Sequence, residues 1–190
     1  MKRMAAMAGL MALLALAGPA LAGTTANITI TVTVEYLSVS VSPTTVALGT
    51  VAAGSTTVST KVDVMNDGNV AENIGLRITN QDNQGAWTAA AAAGSNIYVL
   101  YGIIVGDGGA APTTGQCGAN DVLTTSALYW ATTDGTAANS SLTGTVGSAA
   151  AVAAGGQQDL YFGFAAPTAV TGPTAGLSHS ITVELSVYKD

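Results

Sequence analysis

One histidine and one cysteine bound the side-chain chemistry open to this chain. Any Ser-His-Asp triad would have to use His179, which lies between Ser178 and Ser180 with no glycine elbow around either serine. It reads as a solvated histidine at the start of a strand. Cys117 sits among Gly115, Gln116 and Gly118, a loop setting. A reactive thiol needs a base or cation beside it, so a structural or incidental role is expected, as a buried small residue or a bridge between two subunits. One His and one Cys are too few for a zinc site, and one cysteine makes no intrachain disulfide framework. Asp63, Asn66, Asp67 and Asn69 are the calcium candidates, since they gather oxygens near a tight turn. Met65 occupies the third position of that series and no Glu follows at the twelfth, so turn geometry accounts for these residues better than an EF-hand does. Asp107 and Asp121 flank a second Gly-rich stretch and would share a cation only if it folded back. The remaining acids are scattered beside turns, where solvation is the default over paired work in sugar hydrolysis. Trp87, Trp130, Tyr98, Tyr101 and Tyr129 are the aromatics suited to stacking on a sugar. Trp87 and Trp130 are the better placed, although packing should claim at least one. No cofactor, no resident metal and no enzymatic activity are expected.

The elements that would position these residues are strands. Ile28, Ile30, Val32, Val34 and Tyr36 alternate with Thr29, Thr31, Thr33 and Glu35, a period of two. The alternation then slips by one, with Leu37, Val39 and Val41 interleaved with Ser38, Ser40 and Ser42. A one-residue slip sends the apolar set to the other face, so one strand cannot keep both halves against one flat core without a bulge. Thr57 to Met65 places Val58, Val62 and Val64 on one face. The turn signal Asn66-Asp67-Gly68-Asn69 then leads into Ile74, Leu76 and Ile78, so residues 57–80 read as a hairpin. Ile97 to Val105 is a near-continuous apolar run, as expected of a central strand. Ser126 to Thr132 reads as a short strand, Asp159 to Phe164 aligns Leu160, Phe162 and Phe164, and Ser178 to Tyr188 aligns Ile181, Val183, Leu185 and Val187. Ala89 to Ala93 offers at most one turn of helix. About eight short strands between turn signals predict an all-β sandwich.

Lys2 and Arg3, the apolar run Met7 to Leu16 and Ala20-Leu21-Ala22 fit a signal peptide cleaved near Ala22. The run is too short to span a bilayer comfortably. The expected organisation is a leader at 1–22, an N-terminal arm at 23–36 and a sandwich at 37–190, in a protein that is secreted or displayed on a cell surface. Without the leader, Lys61, Arg77 and Lys189 face eleven acidic residues, which excludes nucleic acid and anionic membranes as partners. Charged residues make up 8% of the chain, against about a quarter in ordinary domains. A surface solubilised by Thr, Ser, Asn and Gly can lie against copies of itself with little charge to desolvate. Asn27-Ile28-Thr29 and Asn139-Ser140-Ser141 fit the N-glycosylation pattern.

Leu48-Gly49-Thr50-Val51-Ala52-Ala53-Gly54, the following strand and Asn66-Asp67-Gly68-Asn69-Val70 resemble secreted microbial immunoglobulin-like domains. Gln158 to Thr168 with the terminal strand is similar to uncharacterised proteins of that kind. These motifs are turns and core strands, so the resemblance implies a fold and not an activity. More loosely, the order of leader, alternating strand and low-charge sandwich resembles extracellular fibre subunits of biofilm matrix and archaeal bundling pili. Those subunits give their N-terminal strand to a neighbour. Chaperone–usher pilins fit less well, because their intradomain disulfide needs a second cysteine. The resulting expectation is a homopolymeric structural subunit, with Ile28, Ile30, Val32, Val34 and Tyr36 at the subunit interface. The terminal strand Ser178 to Tyr188 alternates as well and competes for the donor role. The alternative is a monomeric adhesin or carbohydrate-binding module that takes surface glycans and keeps residues 28–42 as its own bulged strand.

Overall fold

The computed structural model describes residues 27–126, 128–129, 151–173 and 176–189. The expected leader, Trp130 and Asn139 lie outside them, as does most of the Ala/Gly/Ser-rich stretch. The chain divides into two compact units, Met1–Val34 and Glu35–Asp190. In the first, residues 27–34 are extended outside any strand, so the alternation of Ile28 to Val34 is not used in a sheet of this chain. The second unit is all-β.

One sheet of this second unit is built from β1 (Val39–Ser42), β3 (Val62–Asn66), β8 (Gln157–Ala165), β6 (Ile97–Gly106) and β5 (Thr88–Ala89), side by side in that order. β2 (Thr56–Val58) pairs with β8 beyond the end of β3, so β2 and β3 follow one another along the same edge. The other sheet has the order β7 (Leu128–Tyr129), β4 (Glu72–Asn80), β9 (Thr182–Lys189). Every named pairing is antiparallel except β5 with β6. Alternation explains the packing. Val62 and Val64, Leu100 and Ile104, and Leu160 and Phe164 point from the first sheet into one core with Ile74, Leu76 and Ile78 of the second. The result is a sandwich-like pair of sheets. Gly102 leaves room for side chains from outside its sheet, since a Cβ there would sit 2.9 Å from Leu76 Cδ1 and 3.1 Å from Leu123 Cδ2.

Three sequence expectations need correction. Residues 57–80 do not form a hairpin: β3 belongs to the first sheet and β4 to the second, and the Asn66 to Asn69 turn carries the chain across between them. Val58 does not share a face with Val62 and Val64. The ladder breaks at Ser59–Lys61, where the Ser59 hydroxyl accepts from Phe162 N–H at 2.9 Å, and Val58 lands on the outer face against Ile103, Val105 and Tyr161. Residues 89–93 form no helix, because Ala89 is drawn into β5 beside Tyr98.

Candidate functional site

The arm is the most exposed apolar feature among the described residues. Ile28, Ile30, Val32 and Val34 are 88, 82, 76 and 75% exposed, and Thr29, Thr31 and Thr33 lie between them. Four β-branched residues left exposed at alternating positions of one short segment are unusual.

In the second unit, the chain that follows the arm is clamped. Tyr36 N–H donates to Asn69 Oδ1 at 2.8 Å, and Asn69 N–H returns a bond to Tyr36 O at 3.2 Å. Ser38 O accepts from Asp67 N–H and Gly68 N–H at 2.8 and 3.1 Å, while Ser38 N–H donates to Glu72 Oε1 at 2.7 Å. Gly68 is required here by close approach, since a Cβ would sit 2.8 Å from Tyr36 O. Asn66 braces the turn, donating to Val70 O and Val152 O at 2.8 Å each. Tyr36 thus belongs to the root of the arm. The turn that resembled a cation site is a clamp on the incoming chain.

A cleft of about 920 Å3 opens within the second unit between the two sheets. Its floor is core: Val62, Leu76, Leu100, Leu160 and Phe164. One wall is Val41 with residues 43–51, which join no ladder, since Pro43 has no N–H to offer and Gly49 takes a φ of +68°. The other wall is Ile181, Val183 and Leu185, leading into and along β9. β9 pairs with β4 on one side and ends the order of its sheet, and its inward residues stay half-buried where those of β4 are fully buried. Among the described lining residues there is no Asp, Glu, Lys or Arg.

At one end of the cleft stands a compact polar cluster. The His179 ring stacks on Trp87 with centroids 3.8 Å apart and planes 8° from parallel, and its Nδ1 lies 2.8 Å from Asp82 Oδ1. The two side chains of that pair are 5 and 1% exposed, so the expectation of a solvated histidine is corrected: Trp87 and Asp82 bury it. Burial pushes the Asp82 carboxyl up. His179 and the backbone N–H groups of Trp87, Ala86 and Gln84 outweigh that and hold it below the usual carboxylate range. Trp87 also packs beside Phe164 and Tyr98 while lining the cleft. Tyr98 is fully buried, with its hydroxyl donating to Gln81 O at 2.8 Å. Tyr101 is half-buried, and Tyr129 lies in β7.

The other candidates do not converge. Asp63 pairs with Lys61 at 2.7 Å and accepts from Gln157 at 3.0 Å, away from Asn69 at the clamp. Asp107 accepts from the same Gln157 at 3.0 Å, while Asp121 is buried elsewhere. Among the described residues no three His, Cys, Asp or Glu side chains gather as metal ligands. Cys117 caps a short 3-10 turn (Thr114–Gln116) and lays its sulfur over Gly163, where a Cβ would collide with it. Burial, then the charge of Asp121, raises its thiol pKa, which makes it a packing residue. Asn27, the glycosylation candidate within the described residues, is exposed. Sequence reasoning missed the cleft, because residues 43–51 show no alternation to mark them as a wall. It also missed Glu72, whose role as the Ser38 anchor depends on a contact 34 residues away.

The fold and the cleft define an all-β, sandwich-like protein in which core residues line an open cleft among the described residues. No protein-family model matches the chain, and no curated protein aligns with it at a significant level.

Proposed function

We propose that this protein is an exported, immunoglobulin-like structural subunit that polymerises head to tail into an extracellular filament by β-strand donation. One observation carries the reading: the same chain holds an exposed, alternating, uncharged segment and a cleft whose described lining has no Asp, Glu, Lys or Arg, flanked by β9, which pairs on one side only among the described strands. Ile28, Ile30, Val32 and Val34 of one subunit fill the cleft of the next, and the arm backbone extends a ladder there. Each buried aliphatic side chain contributes about 1.5–3 kcal/mol, offset by the entropy of ordering the arm. N-terminal donation is favoured over exchange of the last strand, because β9 is already paired with β4 from Glu72–Lys189 to Asn80–Thr182. Removing β9 would strip the second sheet of an edge, whereas moving the arm breaks no named strand pairing.

Negative-stain electron microscopy and light scattering of residues 23–190 test this, alongside a variant lacking residues 27–34 that keeps the Tyr36 clamp. Filaments of uniform width are expected from the first. From the second we expect a folded monomer with a similar melting temperature. Filaments from the deletion variant, or a full-length protein that stays monomeric at high concentration, would overturn the reading.

A further inference from the structure

The ends at which the arm root and the cleft lie fix a direction for the donated strand, an inference that rests on the strand-donation reading above. The register puts Val39 beside Asn66, and the clamp ties Tyr36 and Ser38 to Asn69 and Glu72. Glu72 in turn pairs with Lys189. The chain therefore enters its sandwich at the end where β9 finishes. The cleft is lined at the other end by Gly176 to Ile181, Trp87 and Ala166, where β9 begins, and reaches inward as far as Leu185 and Leu160. Val64, Ile74 and Val187, the next inward residues toward the arm root, do not line it.

We infer that the arm of one subunit enters the cleft of the next at the His179 end and runs antiparallel to β9, adding a fourth strand to the β7-β4-β9 sheet. In a head-to-tail contact the clamped root, Glu35 and Tyr36, stays at the mouth, and Asn27 reaches deepest. The arm then runs, N to C, from Leu185 toward Ile181, opposite to β9. Its odd-numbered threonines share the outer face with Ser180, Thr182 and Ser186, while its isoleucines and valines face the core. Length agrees: residues 27–34 extend about 26 Å, and with Ile28 beside Leu185 they cover residues 179–186 along that side of the cleft. Charge agrees too, since neither Asn27–Val34 nor the described lining of the cleft carries a charged side chain.

Site-specific cross-linking tests the direction. Donor variants Asn27→Cys and Thr33→Cys are mixed with acceptor variants Ser180→Cys and Ser186→Cys, each in a Cys117→Ala background, and oxidised after assembly. Positions 180 and 186 are about 20 Å apart along an extended strand, so a slip of two residues does not confuse them. We expect disulfide-linked dimers from Asn27→Cys with Ser186→Cys and from Thr33→Cys with Ser180→Cys, and little from the crossed pairs. Filaments in which the crossed pairs link instead would overturn the antiparallel direction. Filaments in which neither acceptor position links would overturn β9 as the acceptor edge. Absence of filaments from the wild-type protein as well would overturn strand donation itself, so the two failures are distinguishable.

Discussion

Asp121 keeps its side chain out of water among the packed residues around Tyr101 and Cys117, and its Oδ2 has no hydrogen-bond partner among the described residues. Burial pushes its pKa up to about 7, against a backbone hydrogen bond from Gly118 that pulls the other way. The folded protein thus holds a proton that the unfolded chain releases near pH 3.8. Its contribution to stability is fully present below that value, is lost as pH rises to about 7 and is level above. We expect Asp121→Asn to melt progressively higher than wild type across this window, with the gap flat beyond it, in thermal scans at pH 4, 6 and 8. Asp82 has the opposite sign. Its depressed pKa supplies stability above pH 3.8 that disappears as pH falls through the lower folded value. Asp82→Ala strands buried N–H groups, each worth about 1–3 kcal/mol, and should lower the urea midpoint at pH 7 with little change in slope. The bond of Asp82 to His179 was not legible in the sequence, because it joins residues 97 apart in the chain.

Most strands could be read from alternation, but their sheet partners could not. The in-phase sets of β4, β8 and β9 are visible in the sequence because each strand has one apolar face, and Leu160, Phe162 and Phe164 do share it. Asn-Asp-Gly-Asn marks a reversal equally well whether the next strand pairs with the last or crosses to another sheet. The break at Ser59–Lys61 was hidden because a run of Thr, Ser and Lys is compatible with an uninterrupted edge strand. Two substitutions probe this level. Gly102→Val forces bulk against Leu76 and Leu123 and should cost about 1–3 kcal/mol, read as a lower melting temperature. Glu72→Ala leaves Ser38 N–H without its acceptor, whereas Glu72→Gln keeps one. The alanine variant should show faster amide exchange at Ser38 and the glutamine variant much less.

The sparse charge of the whole molecule sets how assembly responds to salt. Eleven acidic residues against five basic ones, two of them in the expected leader, leave subunits that repel weakly at long range. The contact assigned to the cleft is apolar and hydrogen-bonded. Raising sodium chloride from about 0.05 to about 0.5 M shortens the screening length severalfold. It should leave filament mass unchanged or raise it, whereas an assembly held by ion pairs would dissolve; sedimentation of filaments from each buffer checks this.

Clamping Tyr36 and Ser38 at one end of the sandwich while the cleft lies toward the other has a stoichiometric consequence. Every filament built this way has unlike tips, one showing a vacant cleft and the other a bare arm. A subunit lacking residues 27–34 keeps its cleft and so blocks only the tip that offers an arm. A free peptide of residues 27–36 blocks only the tip that offers a cleft. Doped into full-length protein before assembly, the truncated subunit is a chain terminator, and mean filament length should fall as the inverse of its mole fraction.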